Sequence, residues 1–188
     1  MNATTSTNND IVDNRSIELI LLSLGLCLGY LAYQKSTVDH LFWLLKPTVQ
    51  LVTWVSGASF TFVAEQGFVR SDGQVLIHKG CSGGHFLLTS IGLGWFVLLP
   101  SLRIGRWKAI SITLVILSPF LLTLFANTSR ICTAMWALKL NVHRWLSLSK
   151  QGLHFGIGLF TYLVMFISYY FILQGWNHVV RNSQQHSS

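Results

Sequence analysis

Charge is what this chain has least of. Only 10% of its 188 residues are Asp, Glu, Lys or Arg, and six of them are acidic. A soluble globular domain carries about 25% charged residues, so this chain cannot clothe itself for water. Cysteine is scarce as well. Cys27, Cys81 and Cys132 form no CxxC pair and no metal-ligand spacing, which argues against a disulfide oxidoreductase or a zinc site. The long apolar runs hold no acidic or strongly polar residue at their centres, which argues against ion or proton transport. The tail Met1–Ser16 lacks the cationic start and small-residue cleavage site of a secretory signal, so the first apolar run is expected to stay attached. No internal repeat or low-complexity tract appears beyond the polar stretches Met1–Asp10 and Asn182–Ser188.

What remains is apolar. Hydrophobic residues make up 51% of the chain, with twelve Phe and seven Trp, and the mean hydropathy is +0.50. These features imply an integral membrane protein whose Trp residues anchor at the interface. The net charge of +7 is scattered over short loops. Scattered cations fit anionic headgroups and topology signals better than nucleic acid.

Four segments approach the ~20 residues a bilayer requires: Ile17–Tyr33, Gly84–Pro100, Ala109–Ala126 and His154–Leu173. A fifth candidate, Val38–Val55, is interrupted by Lys46-Pro47 and reads as a kinked span or an interfacial helix, with the span favoured. Between Gly57 and His78, Phe60, Phe62, Phe68, Val69, Val75 and Ile77 alternate with polar residues, with turn signals at Gly67 and Asp72-Gly73. That pattern predicts a small β-hairpin outside the bilayer. The expected fold class is therefore all-α: a polytopic helix bundle of about five spans, or four, with a small extracytoplasmic hairpin. The embedded domain would cover residues 17–176, between polar tails at 1–16 and 177–188. The loop Ser101–Lys108 holds Arg103, Arg106 and Lys108 with no acid. Short loops this basic usually stay cytoplasmic, which would put Cys81, Asn127, Arg130 and His154 on the other side.

Cys81 stands out among the polar residues. The run Ile77-His78-Lys79-Gly80-Cys81-Ser82-Gly83-Gly84-His85 is cationic and glycine-rich, and an apolar stretch follows directly. Lys79, His85 and the dipole of the following helix are all groups that can stabilise a thiolate at the mouth of a span. A thiol protease or transpeptidase needs a thiolate, a proton shuttle and a positive group for the developing oxyanion. Cys81, His154 and Arg130 can supply the three, each at the predicted end of a span.

These residues lie in runs that resemble a known family. Glu65-Gln66-Gly67-Phe68-Val69 with Gly80-Cys81-Ser82-Gly83-Gly84 resembles the nucleophile region of exosortases and archaeosortases. Ala126-Asn127-Thr128-Ser129-Arg130-Ile131 is similar to that family's arginine motif, and Leu153-His154-Phe155-Gly156-Ile157-Gly158-Leu159-Phe160 to its histidine motif. The motifs occur in the family's order between about Val49 and Phe171, in a short chain like the compact exosortase K branch. The segment Gly83-Gly84-His85 departs from the pattern, which more often has a larger residue there. The resemblance implies a cysteine transpeptidase in a prokaryotic cytoplasmic membrane, needing no metal or organic cofactor. Its partners would be exported proteins ending in a short motif, a hydrophobic helix and a basic tail. It also implies Cys81 as nucleophile, Arg130 as transition-state stabiliser and His154 as acid/base.

Each residue also has a plainer reading. Cys81 could be a helix-cap cysteine, and Arg130 could snorkel to lipid phosphate. His154 could cap its own helix, while His85, four residues after Cys81, is its rival as proton shuttle. Asn127 reads as a hydrogen-bonding partner for Arg130 or the loop backbone. Cys27 reads as a packing residue, and Cys132 as pointing away from Arg130. Glu65 and Asp72 could orient a histidine but fit hairpin solvation better. Gly152, Gly156 and Gly158 suit close helix packing. On these readings together the chain would be a non-enzymatic membrane subunit for assembly or transport.

Overall fold

In the computed structural model the described residues are 4–73, 75–102, 105–142 and 149–185. The chain divides into two compact units, Met1–Lys35 and Ser36–Ser188. The first contains the single helix α1 (Thr4–Lys35), which takes in residues 4–16 that read as a polar tail. Its segment Ser16–Lys35 is apolar enough to cross a membrane.

The second unit begins with α2 (Phe42–Ser56). A three-stranded antiparallel sheet follows, β1 (Phe60–Val63), β2 (Gly67–Arg70) and β3 (Leu76–Ile77), in the order β1-β2-β3. Three long helices complete it: α3 (Gly84–Leu102), α4 (Gly105–Lys139) and α5 (Lys150–Gln185). These three pack on one another pairwise, and α2 packs on α4. Among the described residues, four helices are long and apolar enough to cross a membrane: α1, α3, α4 and α5. The fold is an all-α membrane bundle with a small sheet.

The fifth candidate span is too short. With 15 residues, α2 reaches roughly 22 Å at 1.5 Å per residue, against a hydrocarbon core of about 30 Å. It buries Leu44, Leu45, Thr48, Val49 and Val52 on one face and runs through Pro47 without breaking. The hairpin, in turn, acquires a third strand. Phe60 pairs with Arg70 and Val63 with Gly67, while Phe68 and Val69 pair with Ile77 and Leu76. An aromatic cluster of Phe42, Phe62 and Phe68, with ring centroids 5.1–5.8 Å apart, ties the sheet to the start of α2. Asp72 receives Arg70 Nε at 2.7 Å and so braces the β2–β3 turn.

Two helices run further than their apolar cores. The apolar run of α4 stops at Ala126, but the helix continues through Asn127 and Arg130 to Lys139. At 35 residues it is roughly 50 Å long. Asn127 and Arg130 therefore lie inside a helix, not in a loop after it. The stretch expected as a basic loop is largely helical: Ser101 and Leu102 end α3, Arg106 and Lys108 lie in the first turn of α4, and Arg103 lies outside the described residues. Away from the sheet, Leu98, Val115, Tyr169 and Leu173 form the buried core shared by α3, α4 and α5. Ser118 Oγ lies 2.8 Å from Tyr169 Oη, which gives the buried phenol a polar partner. Outward faces of α5 carry Phe155, Phe160, Leu163, Phe171 and Ile172, all exposed, as a lipid-facing helix requires.

Candidate active site

The thiol is positioned by a short, over-determined piece of chain. β3 runs into His78, and a 3₁₀ turn follows from Lys79 to Cys81. Cys81 N–H donates to His78 O at 2.8 Å, and Ser82 N–H donates to Lys79 O at 3.0 Å. Gly80 N–H donates to the His78 ring Nδ1 at 2.9 Å. The chain then needs a left-handed residue to enter α3, and Gly83 supplies it at φ +71°. Gly83 O accepts the first helical bond, from Leu87 N–H at 2.9 Å. A Cβ at Gly83 would fall inside the Asn127 carboxamide. Glycine is thus required twice over, by φ and by space.

Asn127, fully buried, holds that close approach. Its Nδ2 donates to Ser82 O at 2.7 Å, and its Oδ1 accepts from Tyr162 Oη at 2.5 Å. Because the phenol donates there, it can accept from Arg130 Nη1 at 2.8 Å. The guanidinium also lies 5.4 Å from the Tyr162 ring centroid. Its second nitrogen, Nη2, reaches Cys81 Sγ at 3.6 Å and His154 Nε2 at 3.3 Å. One planar fork therefore spans the phenol, the thiol and the imidazole. Guanidinium cannot accept a hydrogen bond, so Nε2 of His154 is the acceptor and presents a lone pair in the site. Arg130 Nε is buried and has no partner among the described residues.

His154, Gly158 and Tyr162 lie four residues apart along one stripe of α5. Gly158 opens the middle of that stripe, since a Cβ there would stand 3.2 Å from Arg130 Cδ. The glycine thus makes room for the arginine stem rather than merely for another helix. Gly156, on a different face, has nothing within 4 Å of its Cβ position.

Of the residues singled out from sequence, Cys81, Asn127, Arg130 and His154 come together. His85 is exposed at the start of α3. Lys79 faces elsewhere, donating from Nζ to Ser36 O at 2.8 Å. Cys81 is itself buried, 6% exposed, and it does not sit open at a span's mouth. All three cysteines are unpaired. Among the described residues no group of three or more His, Cys, Asp or Glu is placed to hold a metal ion. Tyr162, which joins Arg130 to Asn127, is the residue that sequence reading passed over.

Two cavities flank the site. A small one of about 170 Å³ is bounded by β3 and α4 and reaches Cys81 and His154. A larger one of about 670 Å³ lies toward the start of α5, lined by Gly80, Arg130, Ser149, Gln151, His154 and Tyr162 among others. His154 borders both.

Gly83→Ala should therefore be costly. The left-handed backbone costs about 1–2 kcal/mol with a Cβ, and displacing Asn127 leaves buried polar groups unpaired at about 1–3 kcal/mol. In detergent micelles its Tm should fall by several degrees, while Gly156→Ala should match or exceed the unmodified chain. Equal Tm values for Gly83→Ala and the unmodified chain would refute this reading of the turn.

Comparison with known proteins adds no relative: no family model, no curated protein and no solved structure matches the chain.

Proposed function

We propose that the protein is a membrane-embedded cysteine peptidase or transpeptidase, of the exosortase and archaeosortase kind, acting on C-terminal sorting signals of exported proteins. The observation that carries this reading is the reach of Arg130 Nη2 to both Cys81 Sγ and His154 Nε2. Arg130 sets a fixed positive charge beside the sulfur, and that charge persists through every step. The Cys81 thiol gives its proton to Nε2 of His154, and the sulfur adds to the carbonyl carbon of the scissile peptide, forming a C–S bond while the C=O π pair moves to oxygen. Arg130 faces that oxyanion, and its unpartnered Nε–H has a use for such an acceptor. His154 passes a proton to the departing nitrogen, the C–N bond breaks and a thioester remains on Cys81. An incoming amine or water then loses its proton to His154, attacks the thioester and releases the sulfur. The wider cavity beside Ser149 and Gln151 offers room for that second nucleophile.

In this reading the substrate's hydrophobic helix lies in the cytoplasmic membrane of a prokaryote and presents its scissile bond at the extracytoplasmic interface. The basic stretch Arg103–Lys108 would face the cytoplasm. Reporter fusions test this: one within residues 103–108 should be cytoplasmic, and one beside Asp72 external. Both reporters on one side would remove the shared face on which the reading depends. A membrane subunit without catalysis would show the same topology but no processing, so cleavage of a co-expressed protein ending in such a signal is the paired readout.

A further inference from the structure

β3 is the last strand of its sheet, and its backbone parity has a consequence. Arg70 N–H donates to Val75 O at 2.9 Å, and the register continues through Val69↔Leu76 and Phe68↔Ile77. In an antiparallel ladder, directly opposed pairs alternate between bonded and non-bonded. Arg70/Val75 and Phe68/Ile77 are bonded pairs, so Leu76 lies in the non-bonded pair between them. Its N–H and C=O therefore point away from β2, toward the open edge.

The small cavity lies along this strand. Ile77, Ile131, Ala134 and Met135 supply apolar walls, and its two reactive groups are Cys81 and His154. At about 170 Å³ it is well below the roughly 300–1,000 Å³ of a drug-sized pocket. It is the size for one aliphatic or phenyl side chain. The residue whose carbonyl meets the sulfur carries its side chain one carbon away, and so must place it beside Cys81. The larger cavity, reached past His154, is the one that holds Arg130 and the polar groups of Ser149 and Gln151.

We propose that the cavity between β3 and α4 binds the apolar side chain of the substrate residue on the acyl side of the scissile bond, while that stretch of extended peptide pairs with Leu76 on the open edge of β3. This rests on Cys81 being the nucleophile. Backbone pairing gives affinity and the pocket gives selectivity, as in other cases of strand addition. The cavity thereby sets which residue precedes the cut: an unbranched or γ-branched apolar side chain fits, glycine leaves it empty, and tryptophan overfills it.

The test needs no knowledge of the natural substrate. N-acetyl-alanyl-X chloromethyl ketones, with X as Gly, Ala, Leu, Phe or Trp, are added to the full chain in detergent micelles. Alkylation forms a bond from Cys81 Sγ to the methylene carbon and breaks the C–Cl bond; chloride leaves, and the thiol proton goes to solvent. Site-resolved mass spectrometry reads the rate at each cysteine. Leu or Phe reagents should react at Cys81 roughly tenfold or more faster than the Gly reagent, with Trp slow, the scale expected for filling an apolar pocket. Ala134→Leu should reverse the order in favour of Ala, and Met135→Ala should admit Trp. Leu76 also borders the cavity, so Leu76→Pro, which removes the outward N–H as an edge strand tolerates, is read against Leu76→Ala, which keeps it: the first should slow every peptidyl reagent relative to the second. Unchanged ratios in both pocket variants overturn the pocket, and equal rates in Leu76→Pro and Leu76→Ala overturn the edge pairing. Reaction spread evenly over Cys27, Cys81 and Cys132 would instead end the nucleophile assignment, so the two failures are distinguishable.

Discussion

His154→Ala is expected to lower processing by about 10²–10⁴-fold, the range that a positioned general acid/base supplies, while His85→Ala retains most of it. Both histidines lie near Cys81 in sequence-based topology, and His154 is in the network. His154 Nε2 sits 3.3 Å from Arg130 Nη2, which in turn sits 3.6 Å from the thiol. This nitrogen can take a proton from the attacking nucleophile and, once protonated, give it to the departing amine. His85 is exposed on the first turn of α3. The measurement is the fraction of mature substrate in membranes carrying each variant at equal protein level. An active His154→Ala beside an inactive His85→Ala would reverse the assignment.

Arg130→Lys should be nearly as damaging, with a loss of about 10²–10³-fold, the scale of removing one donor to a developing oxyanion. Charge is preserved in this variant, so any loss reports geometry. The guanidinium makes separate contacts to Tyr162, Cys81 and His154 from two nitrogens of one plane. A lysine ammonium is a point charge on a flexible stem and cannot hold all three at once. Tyr162 Oη would also lose its donor while still bonded to Asn127. Arg130→Lys should therefore lower kcat more than it raises KM, since the oxyanion exists only in the transition state. Full activity in Arg130→Lys would reduce Arg130 to a generic positive charge, or to a snorkelling side chain.

The bundle was legible because lipid-facing helices must be apolar over a bilayer's thickness, and those runs stand out in the sequence. Their ends were less legible. Helix α4 continues past Ala126 because Asn127 finds partners in Ser82 O and Tyr162, and Ile131, Cys132 and Ala134 are again buried. No local signal announces partners that are 35 and 45 residues away. Lys46-Pro47 did flag α2 as irregular, but a 15-residue helix with one buried face differs from a span only in length. The third strand has two residues, too few for alternation to mark. Cys81, Arg130 and His154 were legible as residue types at predicted helix ends. Tyr162 was hidden because a tyrosine within an apolar run reads as packing. Its role depends on the i, i+4, i+8 stripe with His154 and Gly158, which gains meaning only once Arg130 is known to lie across it. Lys79 was misplaced because proximity in sequence says nothing of direction: its ammonium turns to the carbonyl of Ser36.

The claim on which everything else rests is that Cys81 forms a bond to its substrate. Membranes bearing the protein and a tagged protein that ends in a short motif, apolar helix and basic tail should be quenched in acid during turnover and digested for mass spectrometry. The expected result is a hydroxylamine-labile acyl adduct on the Cys81 peptide, carrying the substrate's new C-terminus, with neither adduct nor mature product in Cys81→Ala. Mature product formed by Cys81→Ala, or an adduct on Cys27 or Cys132 in place of Cys81, would contradict it.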